Sequence, residues 1–79
     1  MLKLINVKRN DNIIEANYIP ETSTEIGYIR MDLTSDKIIE NHDTSFDECF
    51  QSYLIQASYA LKAIADKQPY KDEYVHMWY

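Results

Sequence analysis

The side chains best suited to chemistry in this chain are two histidines and one cysteine: His42, His76 and Cys49. A structural zinc ion needs four nitrogen or sulfur ligands at compact spacing, such as paired Cys-x-x-Cys. Only these three residues are of that type, and they are spread from position 42 to position 76. The sequence therefore predicts neither a metal site nor a cofactor.

Cys49 is the remaining candidate for nucleophilic catalysis. A reactive thiolate needs a positive neighbour or a helix N-terminus, together with exposure, and Cys49 falls in the first turn of a predicted helix. It lies, however, on the apolar side of that helix between Phe46 and Tyr53, and free cysteines are among the most buried residues. We therefore interpret Cys49 as structural and expect no enzyme activity. A small enzyme or enzyme subunit using Cys49 or the histidines stays open as an alternative.

The polar stretch from 40 to 48 has the alternation of a calcium-binding loop. Asn41, Asp43 and Ser45 match its opening ligands, but Phe46 stands where the loop needs glycine and Ser52 where it needs glutamate. Both departures remove what calcium requires. The stretch is better explained as a solvated loop that caps the following helix.

Acidic residues are unevenly distributed along the chain, whose net charge is −5. The candidate acidic surface comes from the segment 32–48, in which Lys37 is the one lysine or arginine, and comprises Asp32, Asp36, Glu40, Asp43, Asp47 and Glu48. Nucleic acids and anionic membrane surfaces are bound through clustered basic residues, which this chain lacks. We therefore expect no direct nucleic-acid or membrane binding. An acidic inhibitor that mimics DNA phosphates stays open as an alternative function.

Length and composition predict one folded domain spanning 1–79. Hydrophobic residues make up 46% of the chain, too many for disorder. The single cysteine excludes an internal disulfide, and no apolar segment resembles a signal peptide or membrane span. We expect a cytoplasmic protein, and the abundance of Ile, Lys, Asn and Tyr is typical of a bacterial or phage genome.

Four segments have the alternation or composition of β-strands, separated by turns rich in Asn, Asp, Ser and Thr. They are 2–8, 13–19, 25–33 and 37–40. The hairpin turn at 9–12 contains no glycine, so its Asn and Asp residues must supply positive φ.

One long helix is predicted from 46 to 67. Ser45 and Glu48 form a capping box at its start, and Pro69 stops it. Its apolar side contains Ala57 and Ala60, which we expect to lie against Gly27. The predicted class is α+β: an antiparallel meander of three or four strands covered on one face by this helix.

The final segment, 74–79, alternates with period two and is rich in apolar residues. Tyr74, His76 and Trp78 share one side, and Val75, Met77 and Tyr79 share the other. We expect an extra edge strand beside the sheet, or an extended segment along the helix, that completes the core.

The candidate partner surface comprises Ile55 and Tyr59, on the helix side opposite the core, with the aromatic residues Tyr28 and Trp78. Together with the lack of a catalytic motif, this surface predicts a non-catalytic protein–protein interaction or regulatory module. Its partner would be a protein, with a homodimer as one form.

Overall fold

The fold is described by a computed structural model for residues 1–20, 24–45 and 52–77. Over these residues the elements are β1 (Leu2–Asn10), β2 (Ile13–Pro20), β3 (Gly27–Asp32), β4 (Lys37–His42), α1 (Ser52–Ile64) and β5 (Glu73–His76). The strands form one antiparallel sheet in the order β4-β3-β2-β1-β5. The predicted α+β meander with one helix on one face is confirmed.

The inner face of the sheet and one side of α1 form the hydrophobic core. In β2 the buried positions alternate as predicted, and Ile14, Ala16 and Tyr18 point inward. The helix contributes Ala57 and Leu61, both inaccessible to solvent. Partly buried side chains extend this core at its margin, namely Val7, Leu33, Ile38, Tyr53, Tyr70 and Tyr74.

A β-bulge in β1 changes which side chains point inward. The pairing with β2 shifts register between Ile5 and Lys8, and Asn6 there has a φ of 56°. Asparagine tolerates this left-handed conformation better than most residues. Before the bulge Leu2 and Leu4 are buried, and after it Val7 packs against the core.

The turns between β1 and β2 and between β3 and β4 use aspartate at positive φ, with 59° at Asp11 and 58° at Asp36. The first turn is tied to the helix by Arg9. Its Nε donates to the Asp11 carbonyl at 2.8 Å, while its Nη1 donates to the Ala65 carbonyl at 3.0 Å and to Asp66 Oδ1 at 2.9 Å. One guanidinium therefore joins the first hairpin to the end of the helix.

Gly27 makes room for a tyrosine ring. It pairs with Tyr18 on the neighbouring strand, and a Cβ at Gly27 would overlap the Tyr18 ring. Tyr18 is itself completely buried. The Tyr18 ring on the neighbouring strand therefore explains why position 27 is glycine. The sequence alone predicts a different cause, which is close packing of Ala57 and Ala60 of the helix against Gly27.

The helix is shorter at its C-terminus than predicted. It ends at Ile64, not 67, and a turn follows in which the Lys67 amide donates to the Ile64 carbonyl at 2.9 Å. The Tyr70 hydroxyl and Arg9 both donate to the Ala65 carbonyl, which supplies partners for the end of the helix. The predicted start at 46, with Asp47, Glu48 and Cys49, lies outside the described residues.

The C-terminal segment forms a strand whose two sides differ. β5 pairs antiparallel with β1, and Tyr74 packs against the core. Val75 and Met77 are 54% and 58% exposed. The prediction that this segment completes the core is therefore right for Tyr74 and wrong for Val75 and Met77. Trp78 lies outside the described residues.

Replacing Gly27 by alanine should lower the free energy of unfolding by about 1–3 kcal/mol, because the added methyl group overlaps the Tyr18 ring. Urea denaturation would measure this loss. In a Tyr18→Leu background the cost of Gly27→Ala should shrink, since the smaller side chain leaves space. Equal costs in both backgrounds would contradict the proposed contact.

Deleting residues 73–79 should lower the free energy of unfolding by several kcal/mol, because it removes Tyr74 from the core and uncovers Leu2 and Leu4. Met77→Ala is the control, and it should change stability by less than about 0.5 kcal/mol because this side chain is exposed. A deleted chain with an unchanged urea midpoint would show that β5 contributes nothing to stability.

Candidate binding surfaces

The sheet has an outer face, opposite to the helix, that carries a row of alternating charges. Lys8, Glu15, Arg30 and Glu40 lie at directly paired positions on β1, β2, β3 and β4. The charges therefore alternate plus, minus, plus, minus across four strands. Side chains at directly opposed positions of an antiparallel pair are close enough to attract each other.

Two contacts restrain three members of this row, Glu15, Arg30 and Glu40. Arg30 Nη1 lies 3.5 Å from Glu40 Oε1, and the Tyr28 hydroxyl donates a hydrogen bond to Glu15 Oε2. The hydrogen bond to the Glu15 carboxylate, with smaller contributions from burial and from the negative charge of Glu15, raises the pKa of Tyr28 to about 12. Tyr28, predicted as a partner-surface aromatic, therefore lies on this face with its hydroxyl already engaged.

Asparagine side chains continue the polar network toward the other end of the face. Asn6 Nδ2 donates to Asn17 Oδ1 at 3.0 Å, and Asn17 Nδ2 donates to the Gly27 carbonyl at 3.1 Å. The bulge at Asn6 is what brings its amide beside Asn17. These bonds hold three adjacent strands in register on the outer face.

A shallow depression of about 390 Å³ lies on this face between the charged side chains. It is lined by Lys8, Arg9, Asn10, Ile13, Glu15 and Arg30. Its three cations have carboxylates beside them, because Glu15 lies between Lys8 and Arg30 in the row and Arg9 is paired with Asp66. The positive charge that the depression offers to an anion is therefore reduced.

Apolar residues are exposed beyond the asparagines, at the end of the outer face. Ile26 is 59% exposed and directly precedes Gly27, whose partner on β2 is Tyr18, so extending that register by one residue brings Ile26 level with Ile19. The next outward positions at this level are Lys3 on β1 and Val75 on β5. Alternation in the sequence does not identify Ile26 and Ile19 as neighbours, because their proximity depends on the strand register.

The helix surface predicted to bind a partner is exposed in the structure. Ile55 is 41% and Tyr59 is 57% exposed, on the side away from the core. The Ser58 hydroxyl between them donates to the Ile55 carbonyl at 2.6 Å. This pair is separated from the outer face by the thickness of the sheet and helix, so the two surfaces are distinct.

The described members of the predicted acidic surface lie on the β3–β4 side of the sheet, and each has a polar partner. Asp32 accepts from the Thr34 amide at 2.8 Å, Asp36 Oδ2 lies 3.1 Å from Lys62 Nζ, and Glu40 pairs with Arg30. Asp43 accepts a hydrogen bond from Asn41. Asp47 and Glu48 lie outside the described residues.

The histidines lie on opposite edges of the sheet. His42, on β4, has its ring centroid 6.0 Å from that of Tyr28, whereas a ring nitrogen of His76, on β5, lies 2.9 Å from Gln56 Oε1 of the helix. Four strand spacings, roughly 19 Å, separate the two edges, so one site cannot use both side chains. Among residues 1–20, 24–45 and 52–77 there is no cluster of three or more metal-ligating side chains.

Comparison with protein-family models, with curated proteins and with solved structures found no match to this chain. Over the residues that the structure describes, no helix is long and apolar enough to cross a membrane.

The raised pKa of Tyr28 predicts a late step in the tyrosinate titration of the folded protein. The hydrogen bond to Glu15 exists only while the phenol is protonated, so its stabilisation is present below about pH 10 and lost as the pH rises toward about 12. Ultraviolet absorbance should show one phenol ionising near pH 12. The step should vanish in Tyr28→Phe and move to lower pH in Glu15→Gln.

Tyr59→Phe is the matched control, because it removes an exposed tyrosine from the helix and leaves the outer face intact. It should keep the late step. A wild-type titration without any step near pH 12 would show that the bond between Tyr28 and Glu15 is absent in solution.

Proposed function

We propose that this protein is a non-catalytic protein-binding module and that its binding surface is the outer face of the sheet. The observation that carries the proposal is the placement of exposed Ile26 and Val75, with Ile19, at the end of a face held rigid by cross-strand polar contacts. Apolar side chains bordered by polar ones are characteristic of recognition surfaces.

The rigidity of the outer face supports this assignment. Its side chains project from paired strands, and hydrogen bonds or ion pairs restrain Asn6, Asn17, Tyr28 and Arg30. A surface that is already ordered loses little conformational entropy on binding. The partner we propose is a protein, and on the grounds of cysteine usage we propose that both act in the cytoplasm.

The acidic-inhibitor hypothesis has one supporting observation, which is that Asp36, Glu40 and Asp43 follow one edge of the sheet. Asp36 is paired with Lys62, and Glu40 belongs to a row in which acidic and basic residues alternate, so these residues do not form the continuous acidic surface that phosphate mimicry needs. The outer face therefore accounts better for a binding role. The two functions differ in salt dependence, because phosphate mimicry loses affinity steeply as salt rises.

Affinity capture with the tagged chain from a lysate of its source organism should recover a protein whose binding depends on Ile26. Ile26→Glu places a charge in the apolar end of the outer face and should abolish capture. Ile55→Glu is the matched control, because it makes the same change at an exposed isoleucine of the helix and should leave capture intact.

The reverse result, with capture lost in Ile55→Glu and kept in Ile26→Glu, would assign binding to the helix surface. Capture that survives both substitutions would contradict a binding role for either surface. If the amount of captured partner falls steeply as the salt concentration rises, and Ile26→Glu does not change it, the acidic-inhibitor function is favoured.

A further inference from the structure

We propose that the partner of the outer face is a second copy of this chain, packed face to face about a two-fold axis that runs along the strands between β2 and β3. This inference rests on the proposed function and names the partner of the same surface. It is carried by the order of charges in the cross-strand row and by the position of the two isoleucines at its end.

The charge row is complementary to itself when it is reversed. From β4 to β1 its order is Glu40, Arg30, Glu15, Lys8. A two-fold axis between the two central strands, β2 and β3, reverses the row in the second copy. The first residue of one row then faces the fourth residue of the other, and the second faces the third. Glu40 then faces Lys8 of the second copy, and Arg30 faces Glu15, so the axis creates four attractive contacts.

Other axes create repulsion or fewer attractive contacts. An axis that lies along the row would place each of the four charges against its own copy. An axis shifted by half a strand spacing, onto β2, would place Glu15 against Glu15 and Arg30 against Lys8. An axis between β1 and β2, or between β3 and β4, would avoid like-charge contacts but give only two attractive ones. Because like charges facing each other disfavour an arrangement, and the axis between β2 and β3 gives all four charges an attractive contact, the pattern favours that axis.

The same axis joins the apolar residues. Ile19 and Ile26 lie on either side of it, on β2 and just before β3. Reversal places Ile26 of one copy over Ile19 of the other, so four isoleucine side chains meet on the axis. Ile26 is 59% exposed in the single chain, and this contact would remove it from water.

The geometry of stacked sheets permits these contacts. Packed sheets lie about 10 Å apart, a distance that two long side chains span together. Aligned sheets rotate by about 30°, which displaces the outermost pair, about 7 Å from the axis, by only about 4 Å. Lys8 and Glu40, at these outer positions, have side chains long enough to follow this displacement.

The size of the interface predicts a weak dimer. Four strands at about 4.8 Å and about six residues at about 3.3 Å define a footprint of roughly 400 Å², against roughly 800 Å² per partner in a standard interface. The net charge of −5 on each copy also opposes association. We therefore expect dimers at high micromolar concentration in physiological salt, with β5 outside the footprint.

Sedimentation equilibrium of the full chain, from about 10 μM to about 1 mM, tests the dimer. The average mass of the wild type should rise with concentration toward twice the monomer mass of 9.4 kDa. Lys8→Glu and Glu40→Lys each create two like-charge contacts in the dimer and should weaken association by about tenfold or more. Lys67→Glu is the control, because it makes the same charge change as Lys8→Glu at an exposed position just after the helix, and it should alter association far less.

Mixing the two weakened variants gives the decisive measurement. In a mixed dimer the Lys8→Glu chain has acids at both outer positions of the row, and the Glu40→Lys chain has bases at both. All four contacts are then attractive, so association should return in the mixture.

The matched control for the mixture is a labelled Glu40→Lys chain mixed with Lys67→Glu in place of Lys8→Glu. The two unlabelled chains have the same net charge, but the Lys67→Glu chain keeps Lys8 and would place it against the new lysine of the labelled chain. Fluorescence-detected sedimentation should therefore show the labelled chain binding Lys8→Glu more tightly than Lys67→Glu. Equal binding to both would mean that net charge, and not the row, controls association.

Ile26→Glu provides a second test that leaves the charge row untouched, and it should also produce a monomer. A wild type that stays monomeric at about 1 mM, or a mixture that fails to recover, would overturn the dimer. A monomeric wild type that still captures another protein through Ile26 would reject the dimer and leave the proposed function standing.

Discussion

The structure depends on one constraint: among the described residues, one helix, α1, provides the cover for a five-stranded sheet. A 13-residue helix is about 20 Å long and about 10 Å wide, whereas five strands span roughly 20–24 Å. The helix lies over the inner face in contact with β1, β2, β3 and β5, and other side chains complete the margin of the core. Tyr53, Tyr70 and Tyr74 pack at the margin of the core, which explains part of the high tyrosine content.

The outer face is shaped by the same constraint. Because the cover lies on one side, the alternate residues of every central strand meet water and have to be stabilised by one another. Cross-strand pairs of opposite charge contribute roughly 0.2–1 kcal/mol each, and Glu15 has a basic residue on both sides. The arrangement also opposes register slippage, because a shift by one residue would turn Glu15 toward the core.

The buried and exposed faces of the strands and of the helix were predictable from the sequence, because they follow from hydrophobic periodicity within short segments of the chain. β2 and β3 alternate regularly, and the apolar side of the helix repeats every three to four residues, so each pattern reports the face on which a residue lies. The bulge at Asn6 was not predictable, because the residues around it suit a strand with or without an extra residue. The neighbour of Gly27, Tyr18, is known only once the pairing of β2 with β3 is known.

The binding surface was predictable only in part, for the same reason. Ile55 and Tyr59 lie on one helix, where spacing alone fixes their side, and both are exposed as expected. The row from Lys8 to Glu40 joins residues of four strands, and its order depends on turn lengths and on two register shifts. Hydrophobicity predicts Val75 in the core, yet it lies on the side of β5 that faces away from α1, beside Lys3 on β1.

The position of β1 has a consequence for how the chain is made. β1 precedes every other strand of the sheet in the chain, but it lies inside the sheet, between β2 and the last strand, β5. During translation the growing chain can pair β1 with β2, whereas the other edge of β1 has no partner until residues 73–76 have left the ribosome. An unpaired strand edge is a template for aggregation. The nascent chain therefore exposes one edge of β1 until β5 emerges, so the protection of the first strand of the sheet depends on the strand that is made last.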